Sequence, residues 1–333
     1  MSLEEYKKQY IRSMLDLVWK QWTHLGIYSD VKNPGLWIID PEALLLFTLE
    51  IGRYDARLYD EVLSWLVENE QMINAQRLQN IMKADENIDK TLIAAAASIL
   101  LRNNRSAKWK KLSANKNKNK KPLFLSQDAE GLPVWGEKDE DYIHHGWIRP
   151  NLALRKISGK IDLFRLSNLV IRLRYLFGIN LRAELVVYLL THEAGNPTEI
   201  SKKIYYSQPT IKQVCDEIEK SGMALMTPSG REIKITLDPE RWAGFLKIRE
   251  IKKIRWVNWP EIFKAFNAIL RFLFSRDWSE ISKYIQISES TRIMKEISKD
   301  LSKSNTRLFI NDTFSANVEL HLKEFVGVVL KSL

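Results

Sequence analysis

Residues 180–237 are punctuated so closely that few orders of elements fit them. Asn180 can cap a helix, because its side chain accepts from a backbone N–H that the first turn leaves unpaired. Leu181, Leu185, Tyr188 and Leu189 then fall on one helical face. Gly195, Asn196 and Pro197 break that helix. Pro197 pre-sets φ for the first turn of a second helix, and Glu199 sits near the positive end of its dipole. The second helix is short, over 198–205, with Ile200 and Ile204 facing inward. Ser207 caps a third helix, and Pro209 lies in its first turn. Ile211, Val214, Cys215 and Ile218 recur at helical spacing and point inward, which leaves Gln208, Thr210, Lys212, Gln213 and Asp216 outside. Gly222 ends this helix where a left-handed residue is favoured. Residues 223–227 read as a strand, Pro228-Ser-Gly-Arg231 as a turn, and Ile233, Ile235 and Leu237 alternate in the returning strand. Asp238-Pro-Glu opens a further helix. The local signals all point to three helices followed by a tight ribbon.

The pattern Thr198-Glu-Ile-Ser-Lys, Ser207-x-x-Thr210-Ile211, then Ile218-Glu-Lys-Ser-Gly222 resembles the winged helix-turn-helix domains of bacterial transcription regulators, in the broad group of MarR-like and ArsR-like families. The resemblance spans residues 180–237 and is one of superfamily. It implies that the helix at 208–221 is a recognition helix and that the ribbon tip near Arg231 touches the DNA backbone or minor groove. Gln can pair bidentately with adenine, Thr can meet a thymine methyl and Lys can reach guanine acceptors. Gln208, Thr210, Lys212 and Gln213 are therefore the candidate base readers. Lys202, Lys203, Ser207, Arg231 and Lys234 are candidate backbone contacts, which position the duplex without reading it. Against this, Lys212 and Lys220 share the helix with Asp216, Glu217 and Glu219, so the helix is not electropositive. A winged helix used to dock a protein fits that balance as well.

The chain has 333 residues, enough for two or three domains, and helix formers dominate over its 13 glycines and 10 prolines, so a mainly α protein is expected. The net charge of +10 suits a polyanionic partner, nucleic acid first. Eleven tryptophans are read as large packing residues in helical cores. The single cysteine, Cys215, excludes an intramolecular disulfide framework and reads as a small apolar packing residue. The N-terminus has no secretory apolar core, and the run Leu92-Ile-Ala-Ala-Ala-Ala-Ser-Ile-Leu-Leu101 is too short to span a bilayer. A cytoplasmic protein with no membrane partner is the expectation.

Residues 1–103 read as an N-terminal helical domain, with helices over 1–25, after Asp40-Pro41-Glu42, and near 57–69, 74–82 and 88–102. Residues 104–160 read as a basic linker and irregular segment, 161–250 as the winged helix-turn-helix, and 251–333 as a C-terminal helical domain. From 102 to 121, Arg102, Arg105, Lys108, Lys110, Lys111, Lys116, Lys118, Lys120 and Lys121 occur with no acid among them. That reads as an exposed, mobile arm, either a soluble loop or a sequence-independent phosphate binder. Glu137, Asp139, Glu140 and Asp141 precede His144 and His145, but at no metal-site spacing, so a solvated acidic turn is preferred and neither metal nor cofactor is expected. The other histidines, His24, His192 and His321, lack a nucleophile motif, and no enzyme is expected. Arg165, Arg172 and Arg174 mark a basic amphipathic helix at 165–176.

Thr198-Glu-Ile-Ser-Lys-Lys-Ile-Tyr-Tyr-Ser-Gln-Pro-Thr210 aligns with Ser279-Glu-Ile-Ser-Lys-Tyr-Ile-Gln-Ile-Ser-Glu-Ser-Thr291, identical at seven of thirteen positions. A second, degenerate helix-turn-helix is expected there, with Ser288 as cap and Thr291, Arg292 and Lys295 outward, a reduced wing at 307–310 and a closing helix at 316–333. Two functions follow. One is a regulator that binds double-stranded DNA, as a monomer or homodimer. The other is a scaffold or antitoxin-like protein whose winged helix grips a protein partner.

Overall fold

The computed structural model describes residues 3–30, 37–155, 157–230, 232–249, 251–278 and 281–302, and shows a mainly helical chain. Capping residues set most helix starts. After α1 (Leu3–His24), Asp40 accepts from the Ala43 N–H at 3.0 Å to open α2 (Pro41–Ile51). Asp55 does the same for α3 (Ala56–Asn69), Asn74 for α4 (Ala75–Ala84) and Asp89 for α5 (Lys90–Asn104). Two 3₁₀ turns, Ala107–Trp109 and Leu112–Ala114, precede β1 (Lys121–Pro122). Then come α6 (Glu140–His144) and β2 (Trp147–Ile148), which runs parallel to β1 with Trp147 opposite Lys121. The order continues as α7 (Leu169–Phe177), α8 (Leu181–Thr191), α9 (Pro197–Ile204) and α10 (Gln208–Lys220). The hairpin β3 (Ala224–Ser229) and β4 (Glu232–Leu237) follows, then α11 (Pro239–Phe245), α12 (Trp259–Phe274) and α13 (Lys283–Ser302). No described helix is long and apolar enough to cross a membrane.

The apolar side chains gather into two cores. One joins α1 to α5, residues 109–147 and α12; the other joins α7 to α11 with β3 and β4. The helix α12, which the sequence places in a C-terminal unit, packs on α2, with Phe263 stacked on Phe47 at 4.5 Å and the Tyr10 hydroxyl donating to the Phe266 carbonyl at 2.8 Å. Trp22, Trp65, Trp109, Trp147 and Trp259 are fully buried. Each indole N–H has an acceptor: Thr48 Oγ1, the Leu25 carbonyl, Glu70 Oε2, Thr91 Oγ1 and the Ile38 carbonyl. Large rings enter a core at low cost only when their polar edge is satisfied.

Three sequence expectations change here. The stretch 102–121 is not a mobile arm. Trp109 and Leu112 are buried in the first core, and the chain between them is turned and packed against α5. The second helix-turn-helix does not form either. Ser288, Thr291, Arg292 and Lys295 all lie within the single uninterrupted helix α13. The reason is at three aligned positions. Tyr205 stops α9 in the left-handed region (φ 63°), whereas its counterpart Gln286 is helical. Pro209 has no N–H to continue a helix, whereas its counterpart Ser290 has one, and its hydroxyl donates to the Gln286 carbonyl at 2.7 Å. Ser288 therefore sits in a helix interior and caps nothing. Finally, Arg174 leaves the basic face it was assigned and is fully buried. The expected wing at 307–310, the helix at 316–333, His321 and Arg231 lie outside the described residues.

Candidate nucleic-acid interface

The segment from α8 to β4 is built by the caps its sequence carries. Asn180 accepts from the Arg182 N–H at 2.9 Å, Asn196 from the Glu199 N–H at 2.8 Å, and Ser207 from the Thr210 N–H at 3.4 Å. Gly222, at φ 75°, follows the end of α10. The hairpin pairs from Ala224 opposite Leu237 to Ser229 opposite Glu232, two residue pairs further toward the tip than the turn residues suggest. It is tied back to the α8–α9 loop, because Gly195 and Ile235 exchange both backbone bonds at 3.1 and 2.9 Å. Space is tight there: a Cβ on Gly195 would come within 2.9 Å of the Ile200 side chain, which would have to shift.

One side of α10 packs and the other is bare. Ile211, Val214, Cys215 and Ile218 are buried in the second core, while Gln208, Thr210, Lys212 and Gln213 are exposed. Burial, followed by the nearby Asp216 charge, pushes the Cys215 thiol up to about 12, which leaves it protonated and inert. The exposed residues differ in how free they are. The Thr210 and Ser207 hydroxyls lie 2.6 Å apart in the cap. Gln213 donates to Glu217 at 3.1 Å, and Glu217 also pairs with Arg182. Lys212 has no ion pair among the described residues. Among the backbone candidates, Lys202, Ser207 and Lys234 are exposed and Lys203 is half-buried. In the later set Ser288, Arg292 and Lys295 are exposed, Thr291 is half-buried, and Arg292 pairs with Glu289 at 2.8 Å. The flanking arginines are engaged: Arg165 with Asp162 at 3.2 Å, and Arg172 with the Leu246 carbonyl at 2.5 Å and over the Phe164 ring.

What the sequence did not reveal is the grip on the start of α10. Tyr205 and Tyr206, between α9 and α10, lie against α4. Asn80 donates to the Tyr205 carbonyl at 2.9 Å, Arg77 to the Ile204 carbonyl at 3.0 Å, and Asn74 to the Tyr206 hydroxyl at 2.8 Å. Beneath them is a buried charge network. Arg174 pairs bidentately with Glu42, both at 2.7 Å, bonds to Glu184 and donates to the Met72 carbonyl at 2.5 Å. Arg77 pairs with Glu42 at 2.7 Å and with Asp40 at 2.5 Å. Burial alone would raise the Asp40 carboxyl, but the Arg77 charge and hydrogen bonds hold it below its ordinary value. Two arginines and three acids from α4, α7, the α2 start and α8 thus join the two cores where their surfaces meet. A basic run after α11, with Lys247, Arg249, Lys252, Lys253 and Arg255 all exposed, also escaped the sequence reading, although its composition alone could have marked it.

Asp139 and the two adjacent histidines have structural partners. Asp139 accepts from the Tyr142 N–H at 3.3 Å to cap α6, and His145 lies between Ser98 Oγ at 2.8 Å and the Asn115 carbonyl. Among the described residues no three potential ligands gather around a common point. No protein-family model, curated protein or solved structure matches this chain.

Proposed function

We propose that α8 to β4 form a winged helix-turn-helix and that the protein is a transcription regulator that binds double-stranded DNA through α10. One observation carries the reading. The outward face of α10 presents Gln208, Thr210, Lys212 and Gln213 to solvent while its other face is packed and its start is held by α4. A helix fixed at its base and bare along one side can enter a major groove without losing order on the way. Lys202 and Lys234 would contact phosphates beside it. Binding would act by occlusion or recruitment at a promoter.

Selection from a random pool of duplexes with the purified full chain tests this. The expected result is an enriched motif, and a pool that emerges without sequence preference sinks the proposal. A second reading, a scaffold or antitoxin-like protein that docks another protein, draws on a different observation. Leu225 is 67% exposed and Ile233 42% exposed on the hairpin, and the preceding α10 carries Asp216, Glu217 and Glu219. Under that reading a stoichiometric protein partner survives nuclease treatment during purification from the native host.

A further inference from the structure

The stretch 105–121 returns along α5 as a fixed track. At one end, Lys108 donates to the Glu70 and Ile73 carbonyls at 2.5 and 3.3 Å, and Trp109 is buried with its N–H on Glu70. In the middle, the Asn115 carbonyl is held by His145, whose other nitrogen meets Ser98 on α5. Nearby, Asn117 and Asn119 close over Gly146, where a Cβ would come within 2.9 and 2.8 Å of them. At the far end, the Lys121 N–H donates to the Gly146 carbonyl at 3.0 Å, and the Lys121 ammonium lies 3.9 Å from Asp89, the cap of α5. The track therefore runs the length of the 15-residue α5, or about 22 Å at the rise of an α-helix.

Along it Lys110, Lys111, Lys116, Lys118 and Lys120 are exposed, and none has an ion pair among the described residues. Three acids that border the track are matched to other cations, Glu70 to Lys108, Asp141 to Arg102 and Asp89 to Lys121, while Glu140 beside Asp141 is exposed and has no ion pair among the described residues. The positive charge of the five lysines is thus carried on a backbone tied down at both ends and the middle, and no acid pairs with it among the described residues.

We propose that these five lysines form a second surface of the protein, one that binds the phosphate backbone of duplex DNA without reading sequence. It rests on the reading of α10 only for the choice of duplex as ligand. Lysines are point charges that lack the planar fork of arginine, which suits repeated phosphates better than a single oriented anion. The intervening Asn115 and Asn119 are exposed amides that can donate to phosphate oxygens. The tryptophans of the region, Trp109 and Trp147, are buried. No exposed ring within the track is offered for stacking on unpaired bases, which disfavours single strands. A track of about 22 Å matches about six phosphates along one strand. It also begins near α10: Ile73, which accepts from Lys108, adjoins Asn74, which holds Tyr206 just before the Ser207 cap.

The test is fluorescence anisotropy of the full chain on a labelled random-sequence duplex, from about 50 to about 200 mM salt. Changing all five lysines to Gln should lower the slope of log affinity against log salt by about 4 and weaken low-salt binding at least about tenfold. Changing the same five to Arg should retain the slope. An unchanged slope in the Gln variant overturns the proposal, and so does single-stranded DNA bound as tightly as duplex. The two readings fail separately. Lysine-dependent binding with no sequence preference removes the regulator and leaves the track standing. Sequence preference with an unchanged slope removes the track alone. A wild-type chain that binds no duplex at low salt removes both.

Discussion

Arg174 and Arg172 are two residues apart on α7, which puts them about 200° apart around a helix. That separation places them on different faces of α7, against the single basic face that the sequence suggests. That much was legible; the identity of the buried partners was not, because Glu42 lies 132 residues away in sequence. Changing Arg174 to Met should cost about 3–5 kcal/mol, since Glu184 is then buried without an ion-pair partner and Glu42 keeps only Arg77. Adding Glu42→Gln and Glu184→Gln should recover much of that loss. Denaturant midpoints of the three proteins check this, and a single variant as stable as wild type would show that the network carries no weight. His24 makes a second residue-scale prediction. Burial, then the Arg165 charge, lowers its pKa to about 4, with Asp162 opposing, and its ring nitrogen lies 2.6 Å from Ser167 Oγ. It is neutral in the fold, whereas the unfolded chain takes up a proton near its ordinary value of 6.5. Its contribution is therefore whole above about pH 6.5 and declines as pH falls toward about 4, by up to roughly 3 kcal/mol. Burial raises Glu50 and Asp60, which works in the opposite sense, so the difference between wild type and His24→Gln across that window isolates the histidine. A constant difference would rule the mechanism out.

Among the elements, most helices were legible because each carries its own cap and apolar period. Asp40, Asn180 and Ser207 cap where the sequence reading placed helix starts, and Asp55, Asn74, Asp89 and Asn196 prove to be caps as well. The misreadings came from signals that depend on a neighbour. The lysine track looked unstructured because it is polar at nearly every position, and only Trp109 and Leu112 reach the core. The repeat at 279–291 looked like a second helix-turn-helix because seven identities outweighed the missing breakers at Gln286 and Ser290. Ser290→Pro separates the two topologies. In a turn like that before α10 a proline here is welcome, as Pro209 is. In the interior of α13 it should cost about 3 kcal/mol or more and remove helical circular dichroism. A variant with unchanged stability and helicity would restore the turn.

For the whole molecule, charge pointed toward a polyanion, but it could not say which surface carries the charge. The outward residues of α10 were legible from their period, and that face is open to solvent. The attachment of α10 to the rest was not legible, since it depends on contacts between distant parts of the chain. A fragment of residues 161–250 lacks Glu42, Asn74, Arg77 and Asn80, and leaves Arg174 without Glu42 and the Met72 carbonyl. It should melt well below the full chain and lose helical signal early, as followed by circular dichroism. A fragment with a melting point equal to that of the intact protein would show that the joint is dispensable. The grip of α4 on Tyr205 and Tyr206 has one more implication. The turn before α10 is bonded to Asn74, Arg77 and Asn80. If two copies shared one stretch of DNA, they would accept a single distance between their targets, fixed by solid body and not by tether length.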